Sequence, residues 1–152
     1  MILEALSLSK RFPDGTLGLA GASLRLCTPC FTVLSGRNGS GKSLLARAFL
    51  GLEKPDSGSV LLDGRPLAGC LREARSRIAL VFQEPEHQIL GVSVREDVEF
   101  GLRARSVPAG ERTSRVQDAL VTAGLVGLED RLASALSGGE KRRLAVASAL
   151  VT

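Results

Sequence analysis

The amino-acid sequence predicts an α/β fold: an N-terminal antiparallel β subdomain, a partial parallel sheet and, in the second half, a helical subdomain. Three observations carry this. Residues 2–9 alternate apolar and polar side chains, as a half-buried strand requires. Two short continuous apolar runs, residues 31–35 and 78–82, have the composition of strands covered on both faces. Beyond about residue 90 the pattern changes to helix start and stop signals.

Taken in order, the first strand reaches a turn at Pro13, Asp14 and Gly15, and a second strand runs back to Leu26, so the chain opens with a hairpin. Cys27, Thr28, Pro29 and Cys30 follow. Cys-x-x-Cys spacing suits redox chemistry or zinc, but zinc needs four ligands, and Cys27, Cys30, Cys70 and the sole histidine, His87, are the only soft candidates. A tight turn between two strands is the expectation. The run 31–35 ends against a glycine-rich loop, and residues 43–52 read as a helix. A strand over 59–62 closes at Asp63-Gly64, and the run 78–82 ends at Gln83. Ser93 and Glu96 make a capping box that opens a helix towards Arg105. Pro108 and Gly110 break it, residues 111–123 form a second helix stopped by Gly124, and a third starts near Gly139 and still runs at Val151. The expected division is an α/β part over about residues 1–90, a helical part over about 91–137 and a last helix over 138–152.

Bulk properties bound the function. A chain of 152 residues is one domain in size, and 44% hydrophobic with 24% charged residues is an ordinary globular composition. No apolar run approaches the ~18 residues of a membrane span, and Glu4 sits where a secretory peptide would be basic. A cytoplasmic protein is expected. The net charge of +4, from 20 basic against 16 acidic residues, is too mild to imply nucleic acid, and no nucleic-acid partner is expected. Three cysteines, an odd number, argue against a disulfide framework.

Gly36, Arg37, Asn38, Gly39, Ser40, Gly41, Lys42 and Ser43 fit the Walker A pattern. Glycines let backbone N–H groups turn inwards around a β-phosphate, the helix start offers its positive end, Lys42 reaches β- and γ-oxygens, and Ser43 offers a hydroxyl to Mg²⁺. The bland alternative is a glycine-rich turn that binds nothing. Such a loop does not choose between a small-molecule kinase, a GTPase and a transport ATPase. Gln83, at the carboxyl end of a run read as a buried strand, suits a Mg²⁺ ligand or an orienter of attacking water, or is simply a loop residue. Leu136, Ser137, Gly138, Gly139 and Glu140 sit at a helix start, where Ser137 suits a plain N-cap. Lys141, Arg142 and Arg143 crowd the first turn, where the helix dipole prefers acids, and an anion placed there would relieve the conflict.

The ordered set of Walker A, Gln83 and Leu-Ser-Gly-Gly resembles the motifs of ABC ATPase domains, and the resemblance covers the whole chain. It implies an ATP-binding subunit using ATP and Mg²⁺, a second ABC protomer in a homo- or heterodimer, and a transmembrane transporter subunit. The location implied is peripheral, on the inner face of the cell membrane. Leu136, Ser137, Gly138, Gly139 and Glu140 would then act in trans on the γ-phosphate held by the other protomer's P-loop. Gln83 would sense the nucleotide and lie beside the membrane subunit. Phe12 sits where the family places an adenine-stacking aromatic, usually Tyr, although a core or hairpin Phe fits it nearly as well. Residues 81–88 and 93–102 are similar to energy-coupling-factor subunits of importers for cobalt, nickel and vitamins. His87 belongs to that loop and is not the family's switch histidine.

The pattern also departs from the family. The apolar strand ending in Asp-Glu and the switch histidine are missing, so the resemblance implies ATP binding with hydrolysis deficient in this chain and no certain catalytic residue besides Gln83. Val60, Leu61, Leu62 and Asp63 are the nearest imitation, but Gly64 marks a turn. Leu144, Val146, Ala147 and Leu150 form a stripe that looks unfinished, as in a cut chain, and strands lost from the sheet's middle would leave apolar surface wet. Leu44 replaces a usual second hydroxyl, and Glu140 a frequent Gln. The alternatives are a small P-loop kinase using Asp63 or Glu84, and a remnant that binds no nucleotide. ABC proteins of DNA repair carry long insertions between Gln83 and Leu136, and those of translation usually pair two domains; neither feature is visible here.

Overall fold

The computed structural model describes residues 1–151; Thr152, the last residue of the predicted final helix, lies outside them. The chain divides into two compact units, Met1–Ile78 and Ala79–Thr152.

The first unit is built on strands β1 (Ile2–Arg11), β2 (Leu17–Cys27), β3 (Ser57–Leu62) and β4 (Arg65–Pro66), in the order β2-β1-β3-β4 with every neighbour antiparallel. The β1–β2 hairpin closes because Phe12 N donates to Thr16 O at 2.9 Å and the Asp14 carboxylate accepts from Thr16 N at 2.9 Å. The alternating apolar residues of β1 supply Leu3, Ala5 and Leu8 to the core. They meet Val60 and Leu62 of β3 and Leu44, Leu45, Ala48 and Phe49 of helix α1 (Lys42–Phe49). A short helix α2 (Leu71–Arg77) went unanticipated; it buries only Ala74, too little for an apolar period to show in the sequence. Asp63, with φ of 49°, turns β3 into β4. Its carboxylate accepts from Ile2 N at 2.6 Å and pairs with Arg77 at 2.8 Å.

The predicted partial parallel sheet does not form among the described residues. Residues 31–35 and 78–82 belong to no strand, and Phe31 is 93% exposed. A strand exists only where a neighbour completes its hydrogen-bond ladder. No described strand runs beside either segment, so the apolar runs stay unpaired and their side chains largely wet, as expected if the sheet's middle were missing. The tight turn between two strands expected at Cys27–Cys30 is not formed: β2 ends at Cys27, Thr28 and Pro29 make a bend, and no strand follows directly; all three cysteines are free.

The second unit packs helices α3 (Val94–Ala104), α4 (Ala109–Ala123) and α5 (Gly138–Leu150) around Val98, Leu102, Leu120, Leu125 and Leu144. The capping box at α3 is present, with Ser93 Oγ accepting from Glu96 N at 3.3 Å and the Glu96 carboxylate accepting from Ser93 N. Gly124 ends α4 with a φ of 63°, a conformation cheap only for glycine. The stripe on α5 divides: Leu144 and Ala147 are buried, whereas Leu150 is 61% exposed.

Candidate nucleotide site

The loop at residues 36–43 lies on the first unit and is solvent-facing along its length up to Ser40. Gly39 (φ 82°) and Gly41 (φ 87°) take left-handed conformations, the kind from which anion-binding amide nests are built. Helix α1 starts at Lys42 with no side chain bonded to its N-cap amides and no acid in its first turn. The positive end of the helix is therefore open to an external anion. Lys42 bends back across the loop, donating from Nζ to Gly36 O at 2.7 Å and Arg37 O at 2.8 Å. Those bonds hold the ammonium against the backbone of the loop. The Ser43 side chain is exposed, and Leu44 is buried in the core, where a hydroxyl would be badly placed.

One determinant escaped the sequence reading. Gly41 lies against β2, so that a Cβ there would overlap Gly18 O and come within 2.9 Å of Leu19 Cδ2. Gly18 in turn is closed in by Leu44 Cδ2 and Phe12 Cε2. Two glycines far apart in sequence thus let the phosphate-loop helix seat on the hairpin, and only an approach across the sheet could reveal that. Phe12, 38% exposed, stands at this corner with its Cε2 edge towards Gly18.

Gln83 and the Leu-Ser-Gly-Gly segment belong to the second unit. Gln83 is exposed in a bend, not at the end of a strand. Ser137 caps α5: its Oγ accepts from Glu140 N at 3.3 Å, and the Glu140 carboxylate accepts from Ser137 N at 2.7 Å. The Ser137 amide and hydroxyl, with Arg131 and Arg143 nearby, hold the Glu140 carboxyl below the usual carboxylate range. The crowding of cations at this end is partly answered within the chain, since Lys141 pairs with Glu86 at 2.6 Å. Leu136 is buried, while Ser137, Gly138 and Gly139 are exposed. A side chain at Gly138 would meet nothing, so neither space nor backbone within the unit demands a glycine there. His87 is exposed beside Glu84. Asp63, the nearest imitation of a catalytic acid, is occupied at the β3–β4 turn, where the Ile2 amide and then Arg77 hold its carboxyl below the usual range.

A glycine-rich loop, a lysine folded back over it and an uncapped helix end are the features by which the P-loop nucleotide-binding class holds phosphate. Comparison with known proteins narrows this. The sequence model of the ABC transporter family matches residues 19–152, and the chain belongs to that family. It is 40% identical to the energy-coupling factor transporter ATP-binding protein EcfA of Methanocaldococcus jannaschii, over 98% of this chain and 54% of that protein. The solved structure of cbiO1 from Clostridium perfringens, described as part of the ABC transporter complex cbiONQ, superposes with a TM-score of 0.86 at 36% identity, covering 98% of this chain and 61% of the other. The dimeric structure of MJ0796, a bacterial ABC transporter cassette, superposes with a TM-score of 0.87 at 26% identity, covering 98% of this chain and 69% of the other. The chain spans about half the length of the curated relatives it matches. No helix among the described residues is long and apolar enough to cross a membrane.

Proposed function

We propose that these residues are the ATP-binding part of an energy-coupling-factor type ABC importer subunit, which couples ATP to the transport of a metal ion or vitamin. The observation that carries this is the loop at residues 36–43, where Lys42 Nζ sits on the carbonyls of Gly36 and Arg37 beside two glycines of positive φ and an uncapped helix start. In this reading Lys42 exchanges those carbonyls for β- and γ-phosphate oxygens. The loop amides cradle the phosphates, and Phe12 lies against the adenine. The Ser43 hydroxyl would hold Mg²⁺, which would supply charge neutralisation at the phosphate oxygens when bound; an exposed oxygen donor fits a hard cation.

Ser137, Gly138 and Gly139 act in trans on the nucleotide of a second protomer, whether a copy or a relative. The open space around Gly138 supports this, because a glycine that its own unit does not need suits close approach from outside. The dimeric cassette and the transporter complex among the structural relatives support both a paired protomer and a transmembrane partner, with the subunit held peripherally at the cytoplasmic face. Among the described residues the carboxylate that directly follows an apolar strand is Asp63, and it is taken up at the β3–β4 turn, so we assign no hydrolysis to these residues. The kinase alternative loses one of its two candidate partners, because Asp63 is committed to the β3–β4 turn, while Glu84 is exposed beside His87.

Equilibrium dialysis with radiolabelled ATP tests the reading. Saturable, Mg²⁺-dependent binding is expected, weakened on the order of tenfold or more by Lys42→Ala, the scale of losing charge-assisted hydrogen bonds. Almost no phosphate should be released. Failure of the folded chain to bind ATP favours the non-binding remnant. Turnover abolished by Lys42→Ala would reveal an unrecognised catalytic acid, and transfer of phosphate to a metabolite would favour the kinase.

A further inference from the structure

Asp97 is 4% exposed, the one buried charged residue among those described, and the reading above gives it no task. It stands in the first turn of α3, yet its carboxylate serves two other segments. Oδ1 accepts from Leu90 N at 2.7 Å and Gly91 N at 2.9 Å, at the far end of the loop that begins at Gln83. Oδ2 accepts from the Ser148 hydroxyl of α5 at 2.7 Å. Gly91 presses so closely on Asp97 that a Cβ there would come within 2.8 Å of the Asp97 Cβ, besides overlapping its backbone. The same loop touches α5 twice more: Lys141 pairs with Glu86 at 2.6 Å, and Gln88 Nε2 donates to Ala145 O at a long 3.5 Å. Lys141, Ala145 and Ser148 follow one another at spacings of four and three residues, which is a single face of the helix. The loop is therefore stitched along one side of the helix whose N-cap is Ser137. These stitches are unequal. Glu86 is mostly exposed, and an exposed pair contributes little. The buried, fully bonded carboxylate dominates.

We infer that Asp97 and Ser148 are positioning residues that make the Gln83-bearing loop and helix α5 one mechanical piece, so that displacement of the loop moves Ser137 with it. The joint itself stands on the geometry; its use in linking a docked partner to the nucleotide rests on the function proposed above. The Ser148 hydroxyl bonds to Asp97 and acts through it by orienting its carboxylate. Loss of the hydroxyl frees that carboxylate to rotate away from the two amides it holds.

Residue-resolved amide exchange on the full chain tests this. Ser148→Ala should speed exchange at Leu90 and Gly91 about tenfold, the scale of weakening one buried charged hydrogen bond. Ser148→Thr, which keeps the hydroxyl, should restore the protection, and Lys141→Ala should change it little. Wild-type rates at Leu90 and Gly91 in Ser148→Ala would overturn the proposal. So would an equal acceleration at core amides such as Leu102 and Leu120, which signals mere loss of stability, or failure of Ser148→Thr to restore protection. A second arm adds Mg·ATP. In the wild type, protection should rise together at Ser137, Leu90 and Gly91, whereas in Ser148→Ala it should rise at Ser137 alone. No response anywhere in the wild type would count against the ATP reading, while the joint is judged by the first arm.

Discussion

Replacing Gly41 by Ala tests how the phosphate loop is built, and the structure sets the scale. The residue sits at φ 87°, where an L side chain costs roughly 1–2 kcal/mol. The new methyl would also overlap Gly18 O and approach Leu19 Cδ2 to 2.9 Å, and backbone cannot rotate away as a side-chain tip can. Relief requires α1 to lift off β2, an overpacking cost of roughly 1–3 kcal/mol. Together these predict a loss of about 2–5 kcal/mol. Gly39→Ala is the control: its φ is 82°, but nothing lies within 4 Å of its Cβ position, so only the roughly 1–2 kcal/mol conformational cost applies. Urea unfolding followed through exchange at the Leu45 and Ala48 amides of α1 reads both variants. Equal losses, or a larger one for Gly39→Ala, would refute the seating of α1 on Gly18. The functional order should reverse after correction for stability: Gly39→Ala projects its methyl into the space a phosphate approaches, and it should lose more ATP affinity than its folding defect explains.

Two further outcomes follow from named side chains. Phe12→Ala should weaken ATP binding by about 1–3 kcal/mol, the usual worth of a base on an aromatic face, while Phe12→Tyr retains it; unchanged affinity in a folded Phe12→Ala protein would return this residue to a purely hairpin role. Glu99 bridges Arg103 at 2.6 Å and Arg112 at 2.7 Å, and these guanidinium groups hold its carboxyl below the usual range. Because the folded value is depressed, the bridge stabilises the second unit above the unfolded carboxyl pKa of about 4.3, and that contribution fades as pH falls through the folded value. Urea denaturation at pH 7 and below pH 4 should show the slope in the wild type and a shallower one in Glu99→Gln.

Much of this chain was legible because its determinants are local. The β1–β2 hairpin follows from alternation and an Asp-Gly turn, and the capping box of α3 from Ser93 and Glu96 three residues apart. The conformation of the phosphate loop follows from where its glycines fall, since positive φ is cheap only there. The misread pieces depended on partners. Residues 31–35 and 78–82 have the composition of buried strands, but composition states only what a segment would do beside a neighbour. Helix α2 was missed because it buries a single alanine and carries no apolar period.

The sequence by itself determined the class of chemistry: the order and spacing of a phosphate loop, Gln83 and the Ser137 segment are one-dimensional facts, and so is family membership. Only the tertiary structure decided which polar groups are already occupied. Asp63, a candidate partner for kinase chemistry, is bound to Ile2 and Arg77, while Asp97, which nothing in the sequence singles out, joins three segments. The physical reason is that a carboxylate's role is set by the donors that reach it, and Asp97 meets one of its own across 51 residues of chain.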